Sequence, residues 1–258
     1  MNIYVCLKQV PDTETSISIR EGNAVNETNI KWIVNPYDEY AIEEALKLKE
    51  KIPGSTVCAI ALGPERTQAA LRTAMAMGID RVIHIETVEF LDDRNTARAL
   101  AGAIRMDGAF DVIFTGKQAI DNDASQVHIQ MAEYLSIPVA TNVISFVCDP
   151  QGGIVTVERE IDEGAREVIE MDIPCVVAAA KGLNTPRYAS VIGIMKAKKI
   201  EIKKMSLADI GVDPMTNAVS LLKLSVPAEK PQGKMIEGDP QSAVKELVQR
   251  LKEEAKVI

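Results

Sequence analysis

Short runs of apolar, largely β-branched residues alternate with longer segments of helical periodicity along the first half of the chain. The apolar runs occupy residues 3–7, 56–62, 81–85 and 112–115. Each run is almost continuously apolar, which is typical of strands that are buried on both faces. The pattern therefore predicts a doubly wound α/β fold, in which helices cover both sides of a mostly parallel sheet.

The helix that begins at Pro36 carries the clearest signals. Asn35 is placed to cap it, Pro36 suits the first helical position, and Asp38 opposes the helix dipole. Its apolar stripe consists of Ala41, Ile42, Ala45, Leu46 and Leu48. Further helices are predicted over residues 64–77, over residues 92–105 and after residue 123.

Two regions depart from this alternation. Residues 9–34 are polar and turn-rich, with a small hairpin predicted across residues 16–25. After Pro138, strands follow one another directly, over residues 139–148, 153–160, 166–171 and 175–180. We expect an α/β domain with these additional strands over residues 1–182. Residues 183–258 then form a loop, an extended arm and a C-terminal helix over residues 240–256.

Composition and charge narrow the class of protein. The chain has 29 Lys and Arg against 37 Asp and Glu, a net charge of −8, which argues against nucleic acid as a partner. No apolar stretch approaches the roughly 18 residues of a membrane span, and no signal peptide is visible, so we expect a cytoplasmic protein. The four cysteines stand singly in apolar runs and are predicted to be buried free thiols.

The segment from Gly116 to Val127 follows a predicted strand and opens a helix. Helix N-termini at the carboxyl edge of a parallel sheet offer free N–H groups to anions, so a phosphate site is one interpretation. Gly116 then allows close backbone approach, Ser125 and Gln126 add donors, and Asp121 or Asp123 caps the helix or binds a hydroxyl. The alternative is that Asp123 only caps a helix and Gly116 only ends a strand. The spacing does not decide between them.

Asn35 and Tyr37 form a second polar group, and a well-formed helix start is sufficient to explain them. Successive helix starts nevertheless gather along one edge of a parallel sheet. Asn35, Tyr37 and Gly63 can therefore approach the same ligand as residues 121–126.

The remaining candidates are weaker. Residues 183–199 mix cations with alternating apolar positions, which fits either a solvated face or a loop that contacts a partner. His84 is expected to be a buried, hydrogen-bonded imidazole, and His128, in the first turn of the helix after residue 123, a neutral surface residue. The sequence shows neither a hydrolytic triad nor a cluster with metal-ligand spacing.

Together these motifs resemble the β (small) subunit of electron transfer flavoproteins. They follow the family's order through residues 34–45, 74–81, 116–127, 157–162 and 183–199. The resemblance implies a heterodimer with an α subunit that holds a redox-active FAD. It also implies an electron carrier without its own catalytic set, which serves a dehydrogenase of the acyl-CoA dehydrogenase type or another flavoprotein oxidoreductase.

The resemblance also implies which residues bind. The family's nucleotide site corresponds here to Leu7, Lys8, Asn35, Tyr37, Asp38, Gly63, Gly116, Gln118, Ala119, Asp121, Asn122, Asp123, Ser125, Gln126 and Val127. Its partner-recognition loop corresponds to Asn184, Pro186, Arg187, Tyr188, Val191 and Ile192, with Val191 as the apolar anchor. His128 departs from the family pattern, because glycine is common at that position.

Members of this family bind either a structural AMP or a second FAD at this site. Residues 181–188 and 193–199 look more like those of the anaerobic, electron-bifurcating members, which favours a second FAD that receives electrons from NADH. Asn122 is bulkier than the glycine often found there, and weakly favours AMP. A nucleotide-binding stress-type protein would explain the phosphate loop but not residues 184–199.

Overall fold

The fold is built on one nine-stranded sheet. The computed structural model describes residues 1–20, 24–228 and 232–258. The strands are β1 (Asn2–Leu7), β2 (Gln9–Pro11), β3 (Ile19–Arg20), β4 (Ala24–Val25), β5 (Trp32–Val34), β6 (Thr56–Gly63), β7 (Arg81–Glu86), β8 (Val112–Gly116), β9 (Val139–Asp149), β10 (Ile154–Glu160), β11 (Arg166–Asp172), β12 (Cys175–Ala179) and β13 (Lys203–Ser206). In the large sheet their order is β11-β10-β9-β12-β8-β1-β6-β7-β13. The strands from β9 to β13 in this order pair in parallel, whereas β9, β10 and β11 form an antiparallel extension.

Helices cover both faces of the sheet. They are α1 (Pro36–Lys51), α2 (Gln68–Met77), α3 (Asp93–Asp107), α4 (Val127–Leu135), α5 (Val191–Ala197), α6 (Leu207–Ile210) and α7 (Pro240–Arg250). Helices α1 and α2 pack on one face through Ile42 and Leu71, and α3 and α4 pack on the other through Ile104 and Met131. These side chains are fully buried, so the molecule has three layers with a hydrophobic core on each side of the sheet.

The order of the strands reverses beside β1. From β1 the chain proceeds to β6 and β7 on one side, and then returns to place β8 on the other side of β1. Crevices that bind ligands in open α/β sheets lie at such a switch point, beyond the carboxyl ends of the strands. A functional site is therefore expected at the carboxyl ends of β1 and β8.

The predicted fold class is confirmed, as are the four parallel strands and the four helices between residues 36 and 135. The strands predicted after Pro138 are β9 to β12. The predicted hairpin corresponds to β3 and β4, which pair Ile19 with Val25, although residues 21–23 of its turn lie outside the described residues. Residues 229–231 of the predicted arm lie outside them as well.

The segment after residue 183 contains structure that the sequence pattern does not predict. Strand β13 joins the edge of the sheet beside β7, and the short helices α5 and α6 pack against α2 and α3. Ile202 is buried in the core on one face of the sheet, and Met205 and Leu207 are buried in the core on the other face. The boundary at residue 182 stays a prediction.

Two expectations concern single groups. Cys6, Cys58 and Cys175 are buried free thiols, as predicted, and Cys148 is half-buried. Burial raises the pKa of Cys58 and Cys175 to about 12.

Within the described ranges, no helix has the length and apolar character needed to cross a membrane.

Candidate functional site

A cleft of about 910 Å³ opens at the switch point, at the carboxyl ends of β1 and β8. Most of the residues assigned by resemblance line it: Leu7, Lys8, Asn35, Asp38, Gly116, Gln118, Ala119, Asp121, Asn122, Ser125, Gln126 and Val127. Residues far apart in the chain thus meet at one edge of the sheet. Such a pocket, at this place in an α/β fold, is suited to a small-molecule ligand.

The carboxylate of Asp38 ties three segments together at the base of the cleft. It accepts hydrogen bonds from the backbone N–H of Lys8 at 2.7 Å, from Asn35 Nδ2 at 2.9 Å and from the backbone N–H of Gly116 at 3.0 Å. Burial raises the pKa of Asp38 to about 7, although the three donors favour the charged form. The Asp38 junction, made of these four residues, fixes the ends of β1 and β8 against the start of α1.

Asn35 is the first residue before α1, as predicted, but its side chain does not cap the helix. Its amide instead donates to the carbonyl of Gln118 at 2.9 Å and accepts the N–H of Ile120 at 3.2 Å. The capping role expected from sequence is therefore wrong, because the side chain is used to hold the loop of residues 117–126 over the cleft. Pro36, at the first helical position, has no N–H that needs a cap.

Gly116 is needed because the start of α1 lies directly against it. A Cβ at this position would lie 2.4 Å from Asp38 Oδ1 and 2.7 Å from the Cβ of Tyr37. Gly116 therefore admits a neighbouring helix as well as lining the cleft. Tyr37 does not line the cleft, and its ring faces Lys117 Nζ at 5.3 Å.

The loop of residues 117–126 is held by its own side chains and by unusual backbone geometry. Gln118 Nε2 donates to Asp123 Oδ1 at 2.6 Å, and both Asp123 and Ser125 adopt positive φ angles of 50° and 54°. Helix α4 then begins at Val127, preceded by Gln126, and no side chain among the described residues caps it. The alternative in which Asp123 caps this helix is wrong. The uncapped first turn presents its N–H groups at the cleft, where an anion is favoured.

Few free positive charges lie near this anion position. Lys8 Nζ is paired with Asp121 at 2.7 Å, and Arg94 donates to the carbonyl of Thr216 at 2.6 Å. Glu89 and Asp93 add negative charge to the lining. A phosphate group in this cleft would therefore depend mainly on backbone N–H groups, with Lys8 released from Asp121 as its cation.

The inner end of the cleft is mostly apolar, and the sequence pattern does not predict it. Cys6, Leu62 and Thr115 form its floor at the strand ends, and helices α3 and α4 contribute Leu100, His128 and Met131. We call these six residues the inner slot. Cys6 Sγ lies 3.8 Å from Met131 Sδ, so α4 closes against β1 at the base of the slot.

His128 is buried in this slot, and the expectation of a surface residue is wrong. It shares the inward face of α4 with Met131 and Leu135, three and seven residues further on. That spacing is the signal by which its burial could have been found. Burial lowers the pKa of His128 to about 4, so the ring is neutral, as expected.

The outer rim of the cleft comes from the loop before α3 and from the arm. Asp92 caps α3 by accepting the N–H of Asn95 at 2.8 Å, and it also accepts the N–H groups of Ala218 and Val219 at 2.5 and 3.2 Å. Asn217 accepts the N–H of Asp92 at 3.1 Å. Residues 217–219 of the arm are thus hydrogen-bonded to the mouth of the cleft, a contact that the local sequence does not predict.

Gly63 and Asp123, also assigned by resemblance, do not line the cleft. The carbonyl of Gly63 accepts hydrogen bonds from the N–H of Thr87 and from His84 Nε2, the latter at 2.9 Å. His84 is fully buried as predicted, and its hydrogen bond leaves Nδ1 without a partner among the described residues. Burial lowers the pKa of His84.

Comparison with known proteins identifies the family. The model of the electron transfer flavoprotein domain matches residues 22–210. The electron transfer flavoprotein subunit beta of Bacillus subtilis is 40% identical over the full length of both chains. The chain belongs to this family. The subunit beta of Syntrophomonas wolfei is 36% identical over 100% of this chain and 98% of its own, and that of Homo sapiens is 36% identical over 98% and 97%. The resemblance drawn from the sequence motifs is confirmed.

In this member of the electron transfer flavoprotein β subunits, the segment assigned to partner recognition lies along α1. Asn184 Nδ2 donates to the carbonyl of Tyr40 and to Glu44, both at 2.9 Å. Arg187 Nε lies 2.7 Å from Glu43. These two side chains are held by the protein itself and anchor the segment.

The apolar members of the segment face outward. Tyr188 is almost fully exposed, and Val191 and Ile192, at the start of α5, are 75% and 68% exposed. Pro186 lies between the two anchors Asn184 and Arg187. Of the six assigned residues, Asn184 and Arg187 therefore fix the segment to α1, Pro186 lies between them, and the other three expose apolar surface.

Proposed function

We propose that this chain is the β subunit of a heterodimeric electron transfer flavoprotein, that it pairs with an α subunit holding a redox-active FAD, and that it binds a nucleotide in its own cleft. The observation that carries the nucleotide site is the cleft at the switch point, where the uncapped start of α4 meets the ends of β1 and β8. The chain transfers electrons as part of the complex. Residues at its cleft serve binding and orientation.

Between the two family ligands we favour a second FAD. The cleft has a volume near the upper end of the range for small-molecule pockets, and it continues from the inner slot past the start of α4 to the rim at Phe90. A dinucleotide fits this extended shape. When bound, the FAD would supply two-electron chemistry, which in the bifurcating members divides an electron pair from NADH between two acceptors.

A structural AMP is the second candidate. The exposed side chain of Asn122 lies beside the loop backbone, where its Oδ1 is 3.5 Å from the backbone nitrogen of Ala124. This position narrows the space beside the backbone, which suits one phosphate better than two. Lys8 and Asp121 also bridge the cleft beside the loop, and their ion pair would close over a ligand as small as a mononucleotide.

Quantification of released nucleotides decides between the two. The heterodimer is purified with its α subunit, denatured, and the released nucleotides are separated by chromatography. Two FAD per heterodimer supports the second FAD, whereas one FAD and one AMP refutes it. The chain expressed alone is expected to carry little redox-active flavin, and tight binding of one by the solitary chain would refute the division of roles between the subunits.

For docking to a dehydrogenase, we propose the exposed side chains of Tyr188, Val191 and Ile192. Apolar anchors at the centre of an interface typically contribute about 2 kcal/mol or more. Val191→Asp should therefore abolish electron transfer to an acyl-CoA dehydrogenase-type partner while flavin spectra and fold are retained. Val257→Asp, at a valine that is 67% exposed near the C-terminus, is the matched control. Unchanged transfer by the Val191 variant would place docking elsewhere.

A further inference from the structure

The exposed segment of residues 188–192 is held to the body of the protein at both of its ends. Its large side chains, Tyr188, Val191 and Ile192, lie mostly in solvent. Packing therefore does little to hold these side chains in place. Their positions depend on the backbone that carries them, and so on the residues that fix this backbone on either side.

On the N-terminal side, Arg187 binds two carboxylates of α1. Its Nε and Nη2 donate to the two carboxylate oxygens of Glu43 at 2.7 and 2.9 Å, and its Nη1 donates to Glu50 at 2.6 Å. Glu43 also accepts the backbone N–H of Arg187 at 3.1 Å. Glu43 and Glu50 are about two turns apart on one side of α1. We call these three residues the Arg187 clamp.

The clamp has the features of an ion pair that holds a fixed geometry. The side chain of Glu43 is only 8% exposed, against 35% for Arg187 and 59% for Glu50. Most ion pairs at a protein surface are loosely held, whereas a bidentate guanidinium pair has a defined plane and direction. The clamp therefore fixes both the side chain and the backbone of the residue that directly precedes Tyr188.

On the C-terminal side, α5 is packed against α2. A Cβ on Gly193 would lie 2.1 Å from the carbonyl oxygen of Ala76, so the two helices are in direct contact. Arg72 of α2 also donates to the carbonyl of Ala197, the last residue of α5. The backbone of residues 188–192 therefore runs from α1 to α2 with both ends held.

A surface that is ordered before it binds avoids the loss of conformational freedom on association. We propose that Arg187, through its clamp on α1, is a positioning residue that holds the exposed segment in the arrangement that docks the dehydrogenase. This inference rests on the proposed function, since it concerns how the proposed docking surface is held. Two carboxylates of the chain itself occupy the guanidinium, so Arg187 acts through the segment.

Steady-state reduction of the heterodimer by an acyl-CoA dehydrogenase-type partner, with the heterodimer as the varied substrate, separates docking from electron transfer. Arg187→Ala should raise KM for the heterodimer about tenfold and leave kcat unchanged, because the segment must then be ordered on docking. Arg187→Lys keeps the charge without the planar fork and should give an intermediate KM. Reduction of the flavin by dithionite should be the same in every variant, since it requires no docking.

A second variant decides the question if Arg187→Ala does not fold. Glu50→Gln removes the exposed carboxylate of the clamp and leaves the pair of Arg187 with Glu43 in place. It should raise KM about two- to fivefold, the effect of one exposed ion pair. Lys49→Ala is the matched control, because it removes an ion pair between the same helix and Asp80, and its KM should be unchanged.

The inference is overturned if Arg187→Ala, or Glu50→Gln where the first variant does not fold, has the KM of the Lys49→Ala control. A fall in kcat at unchanged KM would overturn it as well. If Val191→Asp abolishes transfer in the same assay, either result leaves the proposed docking surface intact. Unchanged transfer by Val191→Asp would instead overturn that surface itself, so the two failures are distinguishable.

Discussion

Gly116→Ala is the substitution that most directly tests how the cleft is assembled. The added Cβ would lie 2.4 Å from Asp38 Oδ1, 2.7 Å from the Cβ of Tyr37 and 2.9 Å from its carbonyl carbon. A flexible side chain could move aside, but the Asp38 carboxylate is held by three hydrogen bonds and the Tyr37 atoms belong to the start of α1. The start of α1 must therefore shift away from β8.

The expected loss in the free energy of unfolding can be estimated from the contacts that this shift disrupts. Overpacking of this kind costs about 1 to 3 kcal/mol. Loss of the hydrogen bond from the N–H of Gly116 to the Asp38 carboxylate costs about 1.5 to 3 kcal/mol more. Together we expect the free energy of unfolding to fall by about 2.5 to 6 kcal/mol, which for a chain of this size lowers the melting temperature by on the order of 10 °C.

Calorimetric melting and released-nucleotide analysis of the same preparation provide the assay. Gly116→Ala should lower both the melting temperature and the nucleotide content of the heterodimer, because the loop of residues 117–126 moves with the Asp38 junction. Gly233→Ala is the control, since a Cβ at Gly233 has no atom within 4 Å. A melting temperature and nucleotide content equal to those of the control would refute the reasoning.

Three further predictions test other parts of the molecule. Burial lowers the pKa of His128 from 6.5 to about 4, so the unfolded chain takes up this proton at a higher pH than the folded chain does. The free energy of unfolding should therefore decrease as the pH is lowered from 6.5 to 4, by up to about 3 kcal/mol. His128→Phe should lack this part of the decrease when unfolding of the ligand-free protein is compared at pH 7 and pH 4.5. Arg187→Ala removes the guanidinium that pairs with the buried carboxylate of Glu43 and leaves that carboxylate only the backbone N–H of residue 187, so it should lower the free energy of unfolding by about 1.5 to 3 kcal/mol, measured by urea titration. Gly193→Ala places a Cβ 2.1 Å from the carbonyl oxygen of Ala76 and displaces α5 from α2, so stopped-flow transfer to a dehydrogenase should slow while nucleotide content stays unchanged.

The sequence predicts the parallel part of the sheet well, because burial on both faces leaves a direct trace in composition. Residues 3–7 and 112–115 are apolar at nearly every position, and both lie at the centre of the sheet. The helices between the strands carry the period of 3.6 residues, and two of them end at Gly78 and Gly108 with positive φ angles. Local chemistry suffices for such elements.

Strand β13 and the short helices beside it have no apolar run or helical periodicity that would predict them from the sequence. Lys203 and Lys204 are exposed and only Met205 is buried, so this four-residue edge strand shows neither an apolar run nor an apolar alternation. Their placement depends on a strand edge and helices that the preceding residues have already formed. Lys204 pairs with Glu86 of β7 at 2.9 Å, a contact across more than one hundred residues. Pattern alone cannot signal a partner at that separation.

Some parts of the candidate site are likewise predicted by the local sequence, and others depend on contacts between distant residues. The loop of residues 116–127 was identifiable because a strand end, a glycine and polar residues follow one another in the chain. The role of Asp38 was not, since a carboxylate in the first turn of a helix is equally explained by the helix dipole. Its actual donors come from Lys8 and Gly116, which only the topology brings to it. Residue type alone predicts an exposed His128, whereas its position on the same face of α4 as Met131 and Leu135 indicates burial.

The arm adds a physical link between the surface of the molecule and the cleft. Asp92 caps α3 and also accepts two N–H groups from Ala218 and Val219, so the same carboxylate serves the helix and the arm. Beyond these residues the arm exposes apolar side chains, among them Val226 and Met235. A subunit that bound those side chains would pull on the fastened end at Asp92. Because Asp92, Ala218 and Val219 all line the cleft, the mouth would change shape with it. A shift of this end on subunit association would change the affinity of the cleft for a nucleotide, and nucleotide binding would then change the affinity for that subunit by the same factor.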